Sequence, residues 1–546
     1  MKKFAKGIAM ALTLCVSIGA FAGCAVVSSG NSGISGSDVE EVQKGDYTQY
    51  TKLTIDAGSQ NKAYNTTESL EFNALTNPYP YNTLERLVEE WNKTNAATYG
   101  YYFDIAVSSI NNDRETMVPM LNNGTAPEII YYLPTTIAED QSKGYFYDLK
   151  EVMASPNKYS KEGEAGSVQW KDLWSSEDYN SMFSPDGQLF TVCMEKNPIG
   201  ILYNKTVLEA AGVTETPETY KEFMEAQDKI NAYAQSVDRA DPLKDTTYLT
   251  PFFSKYPWYD SYIESTLWGS KMDVLDVLKE DGEINAEEYV RGYMRKDADG
   301  NRLYDVASPT MQEVYRLIKL STKYYPTNYQ SYYTEQQFVA GNIAMVEVTG
   351  GSIRELVDSV GGSFEVGVFP YPIVESQPAG AEANEYYTTV DASRYVRRGL
   401  SGYCTGWAIT NAAMNKDAQK GNQNCVNACI DILQYLSCFE NNDKMVNDRG
   451  FAIPLSGKTE YSHFITLAEA YAADVSAENI GKTIAWGSAT SASSMGSTYY
   501  NATVNLRKEL INGTPIADVL ASLQKTFMTS ANSLVASNKW DITSWK

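Results

Sequence analysis

Histidine is nearly absent from this chain of 546 residues: His463 is the one it has. Zinc sites built on several histidines, Ser-His-Asp triads and phospho-relay histidines each need a His in the right place, and only this position offers one. Positive charge is also scarce. Lys and Arg number 45 against 68 Asp and Glu, a formal charge of −23 at pH 7. Such a chain has no electrostatic footprint for nucleic acid or for anionic lipid headgroups. Catalytic motifs are missing as well, with no G-x-S-x-G elbow and no H-E-x-x-H. Gly457-Lys458-Thr459 and Gly481-Lys482-Thr483 lack the earlier glycine of a phosphate loop, with Ala452 and Ser476 in its place. With 68 acids, paired carboxylates for glycoside hydrolysis stay open, because spacing in sequence does not determine that geometry. Tyrosine is abundant at 40 residues. An acidic, Tyr-rich, His-poor composition suits a carbohydrate binder or surface protein better than an enzyme.

The first residues address the chain to the cell exterior. Lys2, Lys3 and Lys6 precede an apolar run from Ile8 to Phe21, too short to span a bilayer comfortably and of signal-peptide length. It ends in Phe21-Ala22-Gly23-Cys24, which resembles a bacterial lipobox with Phe where Leu is usual. That resemblance implies cleavage after residue 23 and lipidation of Cys24. Losing three lysines and no acids takes the charge from −23 to −26. Ser28 to Ser37 is Ser/Gly-rich, a flexible tether with nothing to pack. Beyond the signal's Cys15 and the lipidated Cys24, five cysteines (Cys193, Cys404, Cys425, Cys429 and Cys438) stand at no metal-ligand spacing, so neither metal nor cofactor is expected. Cys425 and Cys429 fall in line with Ile432, Leu433 and Leu436 at helical spacing and read as small buried hydrophobes.

The mature chain alternates strand and helix patterns. Leu70–Ala74 reads as a strand, followed by an Asn/Pro/Tyr loop through Tyr81. Thr83 then stands as a cap before Leu84, Leu87, Val88 and Trp91 on one helical face. Phe103–Val107 and Glu128–Tyr132 read as strands, with a helix through Met117–Leu121 between them. This alternation predicts parallel sheets with crossover connections. The stretch 235–305 reads as an irregular, charged insert. Asp297-Ala298-Asp299-Gly300-Asn301 within it is a plain turn, since Arg302 occupies the glycine position of a calcium loop.

Several segments, in order, resemble family 1 extracellular solute-binding proteins of bacterial ABC importers, the maltose-binding-protein-like group. They are Gly124-Thr125-Ala126-Pro127-Glu128, Gly144-Tyr145-Phe146-Tyr147-Asp148-Leu149 and Gly200-Ile201-Leu202-Tyr203-Asn204-Lys205. Leu208–Val213 and Thr216–Phe223 follow, then Phe338–Met345 with Phe369-Pro370-Tyr371-Pro372, Gly406-Trp407-Ala408-Ile409, and Ile511–Pro515 with Val519-Leu520. Together they cover about residues 50–535. The resemblance implies a two-lobed α/β fold of the periplasmic-binding-protein type (class II), with mostly parallel sheets flanked by helices and an interlobe hinge. One lobe would comprise 50–195 plus 402–458, the other 196–401 plus 459–546. It further implies a monomer that captures a sugar, an oligosaccharide by preference, and delivers it to permease subunits. Lipidated at Cys24, that monomer would sit on the outer face of a Gram-positive cell membrane. A peptide or other non-sugar ligand stays open, as does a surface glycoside hydrolase.

Site residues follow from position. Tyr132 ends the strand where maltose-binding proteins place a ligand-facing Trp. Tyr499 and Tyr500 lie close to where the family has a second stacking aromatic, and Glu195 and Asn197 where a cleft acid is expected. The family's third aromatic is missing, the stretch reading Thr349-Gly350-Gly351-Ser352. From the residues themselves, Asn77, Tyr79 and Tyr81 follow the end of the expected first strand, the usual ligand side of such sheets. Trp258 and Trp486 are further aromatic candidates. Sugar rings stack their C–H faces on such aromatics while acids and amides take the hydroxyls. Trp91 and Trp407 fit core positions.

Overall fold

Short strands, most of them buried along nearly their whole length, build the sheets, and helices close over them. The computed structural model describes residues 42–545 apart from 59–81, 107–113, 133–142, 181, 185–186, 242–247, 256–257, 279–283, 327–328, 332–333, 393–397, 400–405, 475–494 and 496. The signal segment, Cys24, the tether and the expected strand at Leu70–Ala74 lie outside the described residues. In chain order the strands are β1 (Thr51–Asp56), β2 (Tyr101–Ile105), β3 (Ile129–Tyr132), β4 (Glu195–Lys196), β5 (Ile199–Asn204), β6 (Thr250–Phe253), β7 (Ile343–Thr349), β8 (Val366–Phe369), β9 (Gly406–Ile409) and β10 (Ile453–Pro454). The helices that position the site are α1 (Thr83–Tyr99), α2 (Ser176–Asn180), α3 (Lys205–Ala210), α4 (Tyr220–Ser236), α5 (Trp258–Gly269), α6 (Gly351–Val360), α7 (Asn424–Ser437), α8 (Phe439–Arg449), α9 (Ser462–Asp474) and α10 (Ser497–Ile511).

The first sheet has the order β2-β1-β3-β9, with β1 parallel to both neighbours and β9 antiparallel to β3. Leu53, Ile55, Tyr101 and Phe103 are buried from this sheet, at the two-residue period of a pleated strand. Over it lies α1, with Leu84, Leu87, Val88 and Trp91 buried at the expected spacing. Trp91 sets its edge on Phe103, centroids 5.0 Å apart, and donates to Asp431 at 2.7 Å. The helix begins one residue earlier than the cap reading: Asn82 holds the cap position, and Thr83 is helical, its hydroxyl bonded to Asp448. Trp407, Cys425, Cys429, Ile432 and Leu433 complete this core.

The second sheet has the order β6-β7-β5-β8. Here the expected parallel arrangement does not hold: β5 runs antiparallel to both β7 and β8, and only β6 pairs parallel with β7. The Asn204 side chain caps α3 at the Val207 amide, and Thr219 with Glu222 forms a capping box on α4.

The stretch 235–305 is not an irregular insert. It carries β6, α5 and the helix Ala286–Met294, and it buries Tyr259, Tyr262, Trp268, Tyr289 and Tyr304 in the second core. Being buried on most sides, α5 lacks the polar face by which an amphipathic helix is recognised. The turn at Asp297 is a turn: its carboxylate accepts from the Asp299 and Asn301 amides at 3.0 and 2.8 Å. Among the described residues, no helix is long and apolar enough to cross a membrane.

Candidate functional site

The two cores meet at a short antiparallel pair, β4 with β10, Glu195 facing Pro454 and Lys196 facing Ile453. Successive strand residues point to opposite faces, so the two side chains of β4 are committed in different directions. Glu195 accepts from the Tyr131 hydroxyl at 2.6 Å and from the guanidinium of Arg449, both groups of the first lobe. Lys196 pairs with Asp178 of α2 at 2.8 Å and lies 4.9 Å from the ring centre of Tyr471 on α9. Tyr471 in turn donates to Asp178 at 3.2 Å, which ties an acid of the first lobe to a helix of the second. Asn197 packs against Gly350. A Cβ on that glycine would come within 2.5 Å of the Asn197 side-chain oxygen, and its φ of +49° is one that side chains resist.

On the second lobe, Ser254 follows the C-terminal end of β6 and starts a buried polar network. Its hydroxyl donates to Glu347 on β7 at 2.5 Å, and the Tyr371 hydroxyl holds the other oxygen of that carboxylate. Arg507 on α10 grips the Ser254 carbonyl and both oxygens of Asp260, at 2.7 and 3.0 Å. Burial pushes the Glu347 carboxyl up to about 7, against the hydrogen bonds from Ser254 and Tyr371. This ion pair brings α5 and α10 together across 247 residues of sequence. Trp258, half-buried at the start of α5, is two residues from Asp260, and Tyr500 is two helical turns before Arg507.

The sequence-predicted residues are not brought together in one place. Glu195 and Asn197 sit together at the hinge, and Trp258 stands two residues before Asp260 at the start of α5. Tyr132 ends β3 opposite Gly406 and Tyr500 lies in α10, their side chains outside the described residues. Asn77, Tyr79, Tyr81, Trp486 and Cys24 also lie outside the described residues. Tyr499 is a correction. It is 1% exposed and packs in the second core with its ring edge on Phe527, 5.4 Å between centroids, so it is core and not a stacking platform. Sequence reasoning missed Arg449, Ser254, Asp260, Glu347 and Arg507. Of these only Arg507 had a signal, its seven-residue spacing from Tyr500 on one helix face. Among the described residues no group of three or more His, Cys, Asp or Glu could hold a metal ion.

The profile of the family described as bacterial extracellular solute-binding protein matches residues 89–457. The chain belongs to that family. No curated relative matches it. Among solved structures, this solute-binding protein is similar to a family 1 extracellular solute-binding protein from Bifidobacterium longum subsp. infantis, with 16% identity, 88% of this chain and 99% of that one covered, and a TM-score of 0.54. A chitin oligosaccharide binding protein matches at 15% identity over 89% of this chain and 100% of its own, with a TM-score of 0.53. RafE of Streptococcus pneumoniae, solved in complex with raffinose, matches at 16% identity over 88% and 100%, with a TM-score of 0.52. At such identities the likeness is one of fold, and it is the two-lobed α/β fold that the sequence resemblance implied. The family and these neighbours are binding proteins, not enzymes.

Proposed function

We propose that this solute-binding protein captures a carbohydrate, an oligosaccharide by preference, between its lobes and delivers it to the permease subunits of an ABC importer. It would do so as a monomer on the extracellular face of the cell membrane, anchored through lipid on Cys24. The lobes would comprise 50–195 plus 402–458 and 196–401 plus 459–546. The observation that carries this reading is the hinge. Two separate cores are joined through a two-residue strand pair whose neighbours are ion pairs and hydroxyls, so one lobe can rotate on the other around a polar ligand. Neighbours of the same fold named for chitin oligosaccharide and solved with raffinose support sugar as the class. Capture needs no covalent step, and the permease would read the closed form.

Thermal denaturation of the chain from Ser37 onward, against a panel of oligosaccharides, tests this reading. A ligand at 100 times its dissociation constant should add about 2.7 kcal/mol of stability, seen as a raised melting point. Stabilisation by peptides or polyamines and by no sugar would overturn the carbohydrate class. For the stacking residues, Tyr132→Ala and Tyr500→Ala should each weaken sugar binding about tenfold. Affinities within a factor of about two of wild type would remove those two residues from the site.

A further inference from the structure

Beside the hinge lies a cavity of about 770 Å³ that contains none of the residues nominated for the cleft. That volume is in the range of small-molecule pockets, about 300–1,000 Å³. One wall is α8 of the first lobe, which buries Met445 and Val446 in the first core. The other is formed by α6 and the start of α9, which bury Ile353, Leu356 and Phe464 in the second core. The segment 458–461 closes one side, held to α8 by the Asn447 amide on the Lys458 carbonyl at 2.8 Å. No wall comes from the ends of β1, β2, β3 or β6, where a ligand of a parallel α/β sheet ordinarily sits.

The lining has a definite chemistry. Arg354 and Lys458 contribute two positive charges, Asp443 and Glu460 two negative ones, so the formal sum is zero. Asp443 is already engaged by the Ser456 hydroxyl at 2.5 Å. Tyr461 and Phe464 meet edge to face with centroids 4.8 Å apart and supply an aromatic corner. The Tyr461 hydroxyl is buried and has no hydrogen-bond partner among the described residues, a costly state for a phenol. Gly450 ends α8 at a φ of +68°, and a Cβ there would run into the Arg354 guanidinium. The glycine therefore lets that cation lie across the junction of the two lobes.

We propose that this hinge cavity is a second solute site, which takes a neutral, hydroxyl-rich molecule. Balanced charge favours neither an anion nor a cation. Groups of both signs match hydroxyls that donate and accept, and the aromatic corner suits a C–H face. Because its walls belong to both lobes, occupancy is sensitive to the interlobe angle and couples to the cleft by linkage.

Hydrogen exchange read by mass spectrometry on the full chain tests the assignment, because it reports the two sites on separate peptides. The probes are glucose, maltose and sucrose, with glucuronate and glucosamine as charged counterparts. A neutral probe should protect peptides within 441–464, and Arg354→Gln should weaken that protection about tenfold in apparent affinity while peptides at 195–199 and 254–260 remain protected. Absence of protection at 441–464 with every neutral probe, or protection that Arg354→Gln leaves unchanged, would overturn the site. Equal or stronger protection by either charged counterpart would overturn the ligand class. Protection at 195–199 and 254–260 alone leaves the transport reading standing without this site. Protection at 441–464 alone does the reverse.

Discussion

The two lobes share an architecture and bury polarity in opposite ways. In the first, Asp431 lies under α1 and collects donors from Trp91, Tyr99 and Tyr159, at 2.7, 2.7 and 2.5 Å, with Lys158 reaching in from the surface. The core behind it is rich in tryptophan, cysteine, methionine and aliphatic residues, with Tyr101, Phe103 and Tyr131 among them. In the second lobe the acids stand inside a tyrosine-rich core. Burial pushes Glu264 up to about 8, opposed by the bond from Tyr304, and pushes Glu347 up to about 7. One arginine, Arg507, serves Asp260 and Ser254 there. Asp431, with three neutral donors, depends little on any single cation. Asp260 depends heavily on Arg507, the one cation it is paired with.

The largest effect should come from Arg507→Gln, which leaves the largely enclosed Asp260 without its partner. A loss of about 3–5 kcal/mol is expected in denaturant unfolding, and Asp260→Asn in the same chain should restore part of it. A cost below about 1 kcal/mol would dissolve the contrast between the lobes. The pH dependence comes next. For Glu264 and Glu347 the folded carboxyl holds its proton above the ordinary carboxylate range. Their stabilising contribution is therefore full below about pH 4.5 and lost as pH rises through about 7 to 8. Melting should weaken from pH 5 to pH 8 by on the order of 2 kcal/mol per group, and Glu264→Gln should flatten its share. A melting temperature that rises over that interval would show these acids to be ionised in the fold. Gly350→Ala should cost about 1–3 kcal/mol by forcing a side chain into a left-handed position against Asn197. It should also shift solute affinity if the hinge is set there, which titration of the variant checks. Lys158→Gln, the first lobe's counterpart to Arg507→Gln, should cost less than about 1 kcal/mol, since Asp431 keeps three donors.

Much of the scaffold was legible residue by residue. The face of α1 followed from four apolar residues at helical spacing, and the burial of Cys425 and Cys429 from theirs. Where the reading failed, the missing quantity was three-dimensional. Tyr499 and Tyr500 are neighbours in sequence, and only the packing of α10 on the second core sends Tyr499 into it. The helix α5 was unreadable because burial on most sides erases the periodic polar face.

By itself the sequence determined the alternation of strands and helices, the caps at Asn204 and Thr219, the glycine at Gly350 and the family to which the chain belongs. These are encoded in short windows, by period, by cap chemistry and by backbone freedom. The direction of β5, the Asp260–Arg507 pair and the cluster of Asp178, Lys196 and Tyr471 at the hinge were decided by tertiary structure alone. Each depends on groups far apart in the chain meeting where water is excluded, and a one-dimensional pattern carries neither that distance nor that dielectric.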